Sequence, residues 1–218
     1  MKDLGRSDMT HTTSLLKIQS KRICLSNLSA QHIILSIFIY LSFSSISYGQ
    51  GQEPTLFEEH LTSLKQGMTV LGSWSVSNLV VGGIMRQRTQ GTGHYFHEMN
   101  ATWNLVNLGI AGIGYFGLPD ITEWTAIDGL REFEKLDRIL LFNAGLDLAY
   151  MALGYALIER GHRLDSDRFL GYGRSLILQG AFLFVFDSAF AYLHSDLTDQ
   201  LRVSLLPSAQ GISINMQF

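Results

Sequence analysis

Sulfur, positive charge and catalytic signatures are what this chain has least of. Its single cysteine, Cys24, excludes an intrachain disulfide and leaves any metal site without a second thiol; it also precedes the first apolar run, where a lipid-modified cysteine would have to follow it. Only 16% of the 218 residues are charged, against roughly 25% in soluble proteins. A net charge of −3, with no basic block longer than Lys21-Arg22, excludes the electrostatic footprint that nucleic acid requires. Lys and Arg are missing from four long apolar runs, 68–85, 101–118, 139–158 and 176–193. No serine-hydrolase, kinase or paired-carboxylate constellation can be assembled with its partners, and no cofactor is expected.

What is present begins with an address. Lys17, Lys21 and Arg22 precede the mostly apolar stretch 33–43, and Ser47-Tyr48-Gly49 follows it before Gln50. Basic, apolar and small-residue segments in that order read as a signal peptide over residues 1–49 with an extended polar start; an uncleaved signal anchor is the other reading. Both put Gln52 outside the cytoplasm. Residues 50–67 are expected as an exported amphipathic lead-in, with Phe57, Leu61, Leu64 and Met68 at helical spacing.

Each of the four apolar runs has about the 17–25 residues that a helix needs to cross hydrocarbon. The expected fold is therefore all-α, a four-helix transmembrane bundle over residues 68–194 behind the signal peptide. A soluble helical bundle is the rival, but its helices would carry a polar face, whereas here the charges cluster between the runs. An exported start and four crossings place both mature ends outside the cytoplasm, in a bacterial inner membrane, with 86–100 and 159–175 as cytoplasmic loops. Six Lys and Arg in those loops against five in the outside segments agree only weakly with the positive-inside rule. Trp124, Ile127, Leu130, Phe133 and Leu136 predict a separate interfacial helix on the outer surface, anchored by Trp124. Residues 195–218 are expected as an exported tail. Its alternating Ile212, Ile214, Met216 and Phe218 look like a last barrel strand, but no other alternating segments exist to complete a barrel.

Inside the runs lies a polar belt. An ionisable group in hydrocarbon costs at least about 2.5 to 3.5 kcal/mol, so Asp147 and Asp187 are the first candidates for function. With no Lys or Arg in any run, each carboxyl must be protonated, hydrated in a cavity or paired with a bound cation. Asn78, Asn104, Asn107, Asn143 and Gln179 add amides, and Tyr150 a hydroxyl. Helical period puts Asn100, Trp103, Asn104, Asn107, Ala111 and Gly114 on one face, and Asn143, Asp147, Tyr150 and Gly154 on one face of the next run. Such stripes, rich in small residues, also serve as plain helix-to-helix glue.

The histidines say less. His94, His97 and His162, with Asp165 and Asp167, share an expected side, yet their spacing is no metal signature and no metal site is assigned. His194 sits one turn beyond the helix face of Asp187 and Phe190, and the apolar runs contain no two histidines at matched depth to hold a haem. Gly171-Tyr172-Gly173-Arg174-Ser175 looks like a phosphate loop but lacks the Lys-Ser/Thr ending, so Tyr172 and Arg174 read as interfacial anchors.

The patterns Phe96-His97-Glu98-Met99-Asn100 with Trp103, Asn104 and Asn107, Phe142-Asn143 with Gly145-Leu146-Asp147 and Tyr150, and Gly171-Tyr172-Gly173 with Gln179-Gly180 and Phe186-Asp187 resemble an uncharacterised family of small bacterial four-helix membrane proteins. The resemblance covers residues 68–194. It implies an envelope location and four spans, and carries no activity. Three functions remain in view: a non-enzymatic structural protein or complex subunit, a small proton- or cation-handling protein using Asp147 and Asp187, and an enzyme acting on a lipid or quinone with His97 or His162 as base. The expected partners are the bilayer and a second copy or another membrane protein.

Overall fold

The computed structural model describes residues 55–205, so the signal reading over 1–49 and the alternating residues of the tail lie outside the described part. Four helices account for nearly all of it: α1 (Leu56–Arg88), α2 (Thr92–Phe116), α3 (Ala126–Leu164) and α4 (Asp167–Leu205). Two start on reciprocal capping boxes. The Thr55 hydroxyl accepts from the Glu58 amide at 3.3 Å while Glu58 accepts from the Thr55 amide at 2.9 Å, and Thr125 and Asp128 repeat the arrangement at 3.2 Å in both directions. At the other end the turns are very short. Asp165 takes the left-handed conformation (φ 48°) that a short polar side chain tolerates, and α4 begins two residues later. Gly91, at φ +57°, opens α2 with Asp167 packed where a side chain would stand.

At 1.5 Å per residue α3 and α4, 39 residues each, run about 58 Å, and α1 about 50 Å, well beyond a hydrocarbon core of roughly 30 Å. Three helices, α1, α3 and α4, are long and apolar enough to cross a membrane. α2 is not among them, because Asn100, Asn104, Asn107 and its glycines dilute its apolar content. It also stops at Phe116, so at the open end, where the chain enters α1, only α1, α3 and α4 continue.

Several expected breaks are absent. The lead-in is the first third of α1, and residues 195–205 prolong α4. The stretch expected as a separate surface helix opens α3 instead: Phe133 is fully buried, and Trp124 meets Phe57 edge to face at 5.7 Å. Interior packing outweighs interfacial anchoring there, because α1 and α4 extend alongside and offer an apolar face. The expected loops 86–100 and 159–175 shrink to turns at 89–91 and 165–166 for the same reason, their polar residues riding on helix ends.

α4 is the hub. Its largest interface is with α3, it packs on α2, and α1 joins chiefly through α2. Along the α3–α4 seam the buried positions recur every seventh residue, Phe133, Leu140, Asp147, Gly154 and Gly161 on one side and Gly173, Gly180, Asp187, His194 and Leu201 on the other. Such a repeat is that of an antiparallel coiled-coil seam. Glycines set its closeness: a Cβ on Gly154 would stand 2.7 Å from the Gly173 carbonyl oxygen, and one on Gly180 2.8 Å from that of Asp147.

Candidate functional site

Four polar side chains from three helices close a ring in the interior. Trp74 Nε1 on α1 donates to Gln179 Oε1 on α4 at 3.1 Å. Gln179 Nε2 donates to Asn100 Oδ1 on α2, Asn100 Nδ2 to Asn78 Oδ1 at 2.9 Å, and Asn78 Nδ2 back to the Trp74 carbonyl at 2.9 Å. The Trp74 indole also stacks on Phe182, 3.8 Å between centroids. Because each nitrogen in the ring donates to an acceptor within it, part of the cost of taking the amides out of water is offset. Asn100 is its centre, for Asn104 Nδ2 also donates to the Asn100 carbonyl at 2.8 Å.

Asp147 on α3 and Asp187 on α4 lie within interaction range of each other across the seam, 2% and 6% exposed. Asp147 Oδ2, Asn104 Oδ1, Asn107 Nδ2, Trp103 Nε1 and Ser175 Oγ are buried without a protein hydrogen-bond partner. Tyr150 packs its ring edge to face with Trp103 at 4.8 Å. Asn143 is half-buried and, among the described residues, joins neither the ring nor the acid pair.

A third cluster lies at the turn end. Glu98 accepts from the Tyr172 hydroxyl at 2.6 Å and meets Arg86 at 3.0 Å and His94 at 3.5 Å. Tyr172 thus ties α4 to α2. The Tyr172 hydrogen bond, with help from Arg86, holds the Glu98 carboxyl below the usual value. A depressed folded value stabilises the protein above the unfolded value and is lost as pH falls through the folded one. Tyr172→Phe should therefore cost under about 1 kcal/mol at neutral pH and nothing in acid, measured by denaturant unfolding at both pH values.

The histidines placed on one side by the sequence do not come together. His94 bonds the Arg86 carbonyl at 2.8 Å, His162 is exposed, and His97 is buried against α1, where burial lowers its pKa. His97 Nδ1 has no protein hydrogen-bond partner. Among the described residues no group of three His, Cys, Asp or Glu side chains is arranged to hold a metal. Gly171 and Gly173 of the loop-like stretch lie within α4 as packing positions against α2 and α3.

Residues 70–188, more than half of the chain, match a family of unknown function, DUF6992. The chain belongs to this family. No curated protein and no solved structure matches it. The DUF6992 match takes in the whole amide ring and both aspartates, and stops short of His60 and His194. Trp74 and Asn100, which complete the ring, stood outside the candidate belt read from the sequence. Asn100 lay on the polar stripe but one residue before its apolar run; Trp74 offered no signal, since an apolar-run tryptophan is ordinarily packing.

Proposed function

We propose that this DUF6992 member is a non-enzymatic inner-membrane protein, a structural component or subunit of a larger complex, with both mature ends outside the cytoplasm and α2 as the fourth crossing. The closed amide ring carries this reading: a network whose side chains bond one another holds α1, α2 and α4 together. A second copy or another membrane protein is the partner this role requires. Affinity purification from native membranes should recover the chain in a stable complex; an isolated monomer in a native-like bilayer would overturn the reading.

One observation favours a second reading. Asp147 and Asp187 face each other without any basic residue in the spans, and Asp147 Oδ2 has no protein partner. Two adjacent carboxyls away from water form a site for a proton or a small cation. Asp147→Asn/Asp187→Asn, inserted and folded like the wild type in sealed vesicles, is expected to abolish any proton or cation flux the wild type carries. Flux that survives the double substitution, or none in either protein, sinks the ion-handling role.

A further inference from the structure

At the open end, beyond the apolar spans, three side chains from three helices form an unbroken chain. His194 Nδ1 on α4 lies 2.7 Å from Asp137 Oδ1 on α3, and His194 Nε2 lies 2.7 Å from His60 Nδ1 on α1. The Thr198 hydroxyl donates to the second Asp137 oxygen at 2.7 Å. His194 is fully buried and His60 nearly so, while the Asp137 side chain keeps 25% of its surface. Phe133 stacks on His60 at 4.2 Å, and Trp124 and Phe190 flank the two imidazoles.

The carboxylate sets the polarity of the whole chain. An ionised Asp137 only accepts, so His194 carries its hydrogen on Nδ1 and presents a lone pair at Nε2. That lone pair accepts from His60 Nδ1–H, which leaves His60 Nε2 unprotonated. We propose that His60, His194 and Asp137 form a proton relay between the aromatic enclosure around His60 and the partly exposed Asp137.

The transfer balances without a buried charge. A proton binds His60 Nε2; the Nδ1–H bond of His60 breaks as its proton moves to His194 Nε2; the Nδ1–H bond of His194 breaks as its proton moves to Asp137 Oδ1. One proton has entered, the carboxylate has become a neutral acid, and both imidazoles end neutral in the opposite tautomer. A proton supplied by water at Asp137 runs the same steps in reverse and restores both starting tautomers, so the chain shuttles one proton at a time. The titratable groups facing His60 are His194 from α4 and Asp137 from α3, and burial together with His194 pushes its pKa down to about 4 against the pull of Asp137. A resting imidazolium at His60 is therefore disfavoured. Glu134 and Arg202, the charges one turn away, are engaged with each other at 3.0 Å. The relay depends on neither functional reading above, and His60 and His194 fall outside the matched family segment.

Nitrogen-15 NMR of the full chain in micelles, with labelled histidine assigned through His60→Gln and His194→Gln, tests it. At mildly alkaline pH both residues should show protonated Nδ1 and bare Nε2. On acidification both patterns should exchange together without a doubly protonated ring. Asp137→Asn keeps an acceptor for His194 but cannot take the proton, so the joint exchange should disappear. An Nε2–H tautomer at His194 in alkali, an imidazolium at either residue in the wild type, or a joint exchange that persists in Asp137→Asn overturns the relay; if Asp137→Asn does not fold, the wild-type pattern alone decides.

Discussion

Gly173→Ala is expected to destabilise the protein by about 3 kcal/mol, the upper range for overpacking, or to prevent folding altogether. A Cβ there would stand 2.5 Å from the Gly154 carbonyl oxygen and 2.9 Å from the Ile158 amide nitrogen. Both obstacles are backbone, so no rotamer change relieves them, and the two longest helices must part along their whole seam. Gly145→Ala and Gly109→Ala are the controls, since a Cβ at either meets no heavy atom within 4 Å. Each should be neutral or stabilising by up to about 1 kcal/mol through helix propensity. Denaturant titration of the purified proteins followed by circular dichroism would separate the outcomes; equal losses at all three glycines would mean that close contact at Gly173 is not what holds α3 to α4.

Asn100→Ala should cost about 2 to 4 kcal/mol although it removes only a small side chain. It deprives Gln179 of an acceptor and Asn78 of a donor in a buried place, at about 1 to 3 kcal/mol for each orphaned group, with membrane hydrogen bonds at the lower end of such values. Asn143→Ala, outside the ring, should change stability by less than about 0.5 kcal/mol. A double-mutant cycle between Asn78 and Gln179, whose side chains are bridged by the Asn100 side chain, adds a sharper check. Their coupling should be measurable in the wild-type background and vanish with Asn100→Ala, whereas full additivity would dissolve the ring into independent contacts.

The amide ring and the histidine chain were unequally legible. The asparagines of α2 recur at three- and four-residue intervals, and Asn100, Asn104, Asn107 and Ala111 are all buried. Their partners were not legible, because a hydrogen bond between residues 100 and 179 leaves no local trace. His194 had an unread signal, for it continues the seven-residue spacing of Gly173, Gly180 and Asp187, just as Phe133 leads Leu140 and Asp147. His60 had none: 134 positions from His194, it looked like one more residue of a polar lead-in.

Sequence by itself determined the all-helical character of the described residues and their apolar segments compatible with a membrane, because length, hydropathy and the absence of Lys and Arg from those runs act locally and independently of partners. It determined too which faces carry amides and small residues, since helical period is a property of each segment alone. Only the tertiary structure decided where the helices end and which polar groups meet. Long neighbours make it favourable to continue a helix through a stretch that, on its own, would bend into a surface segment, and the closing of a ring or a relay depends on the register between helices that glycine contacts set.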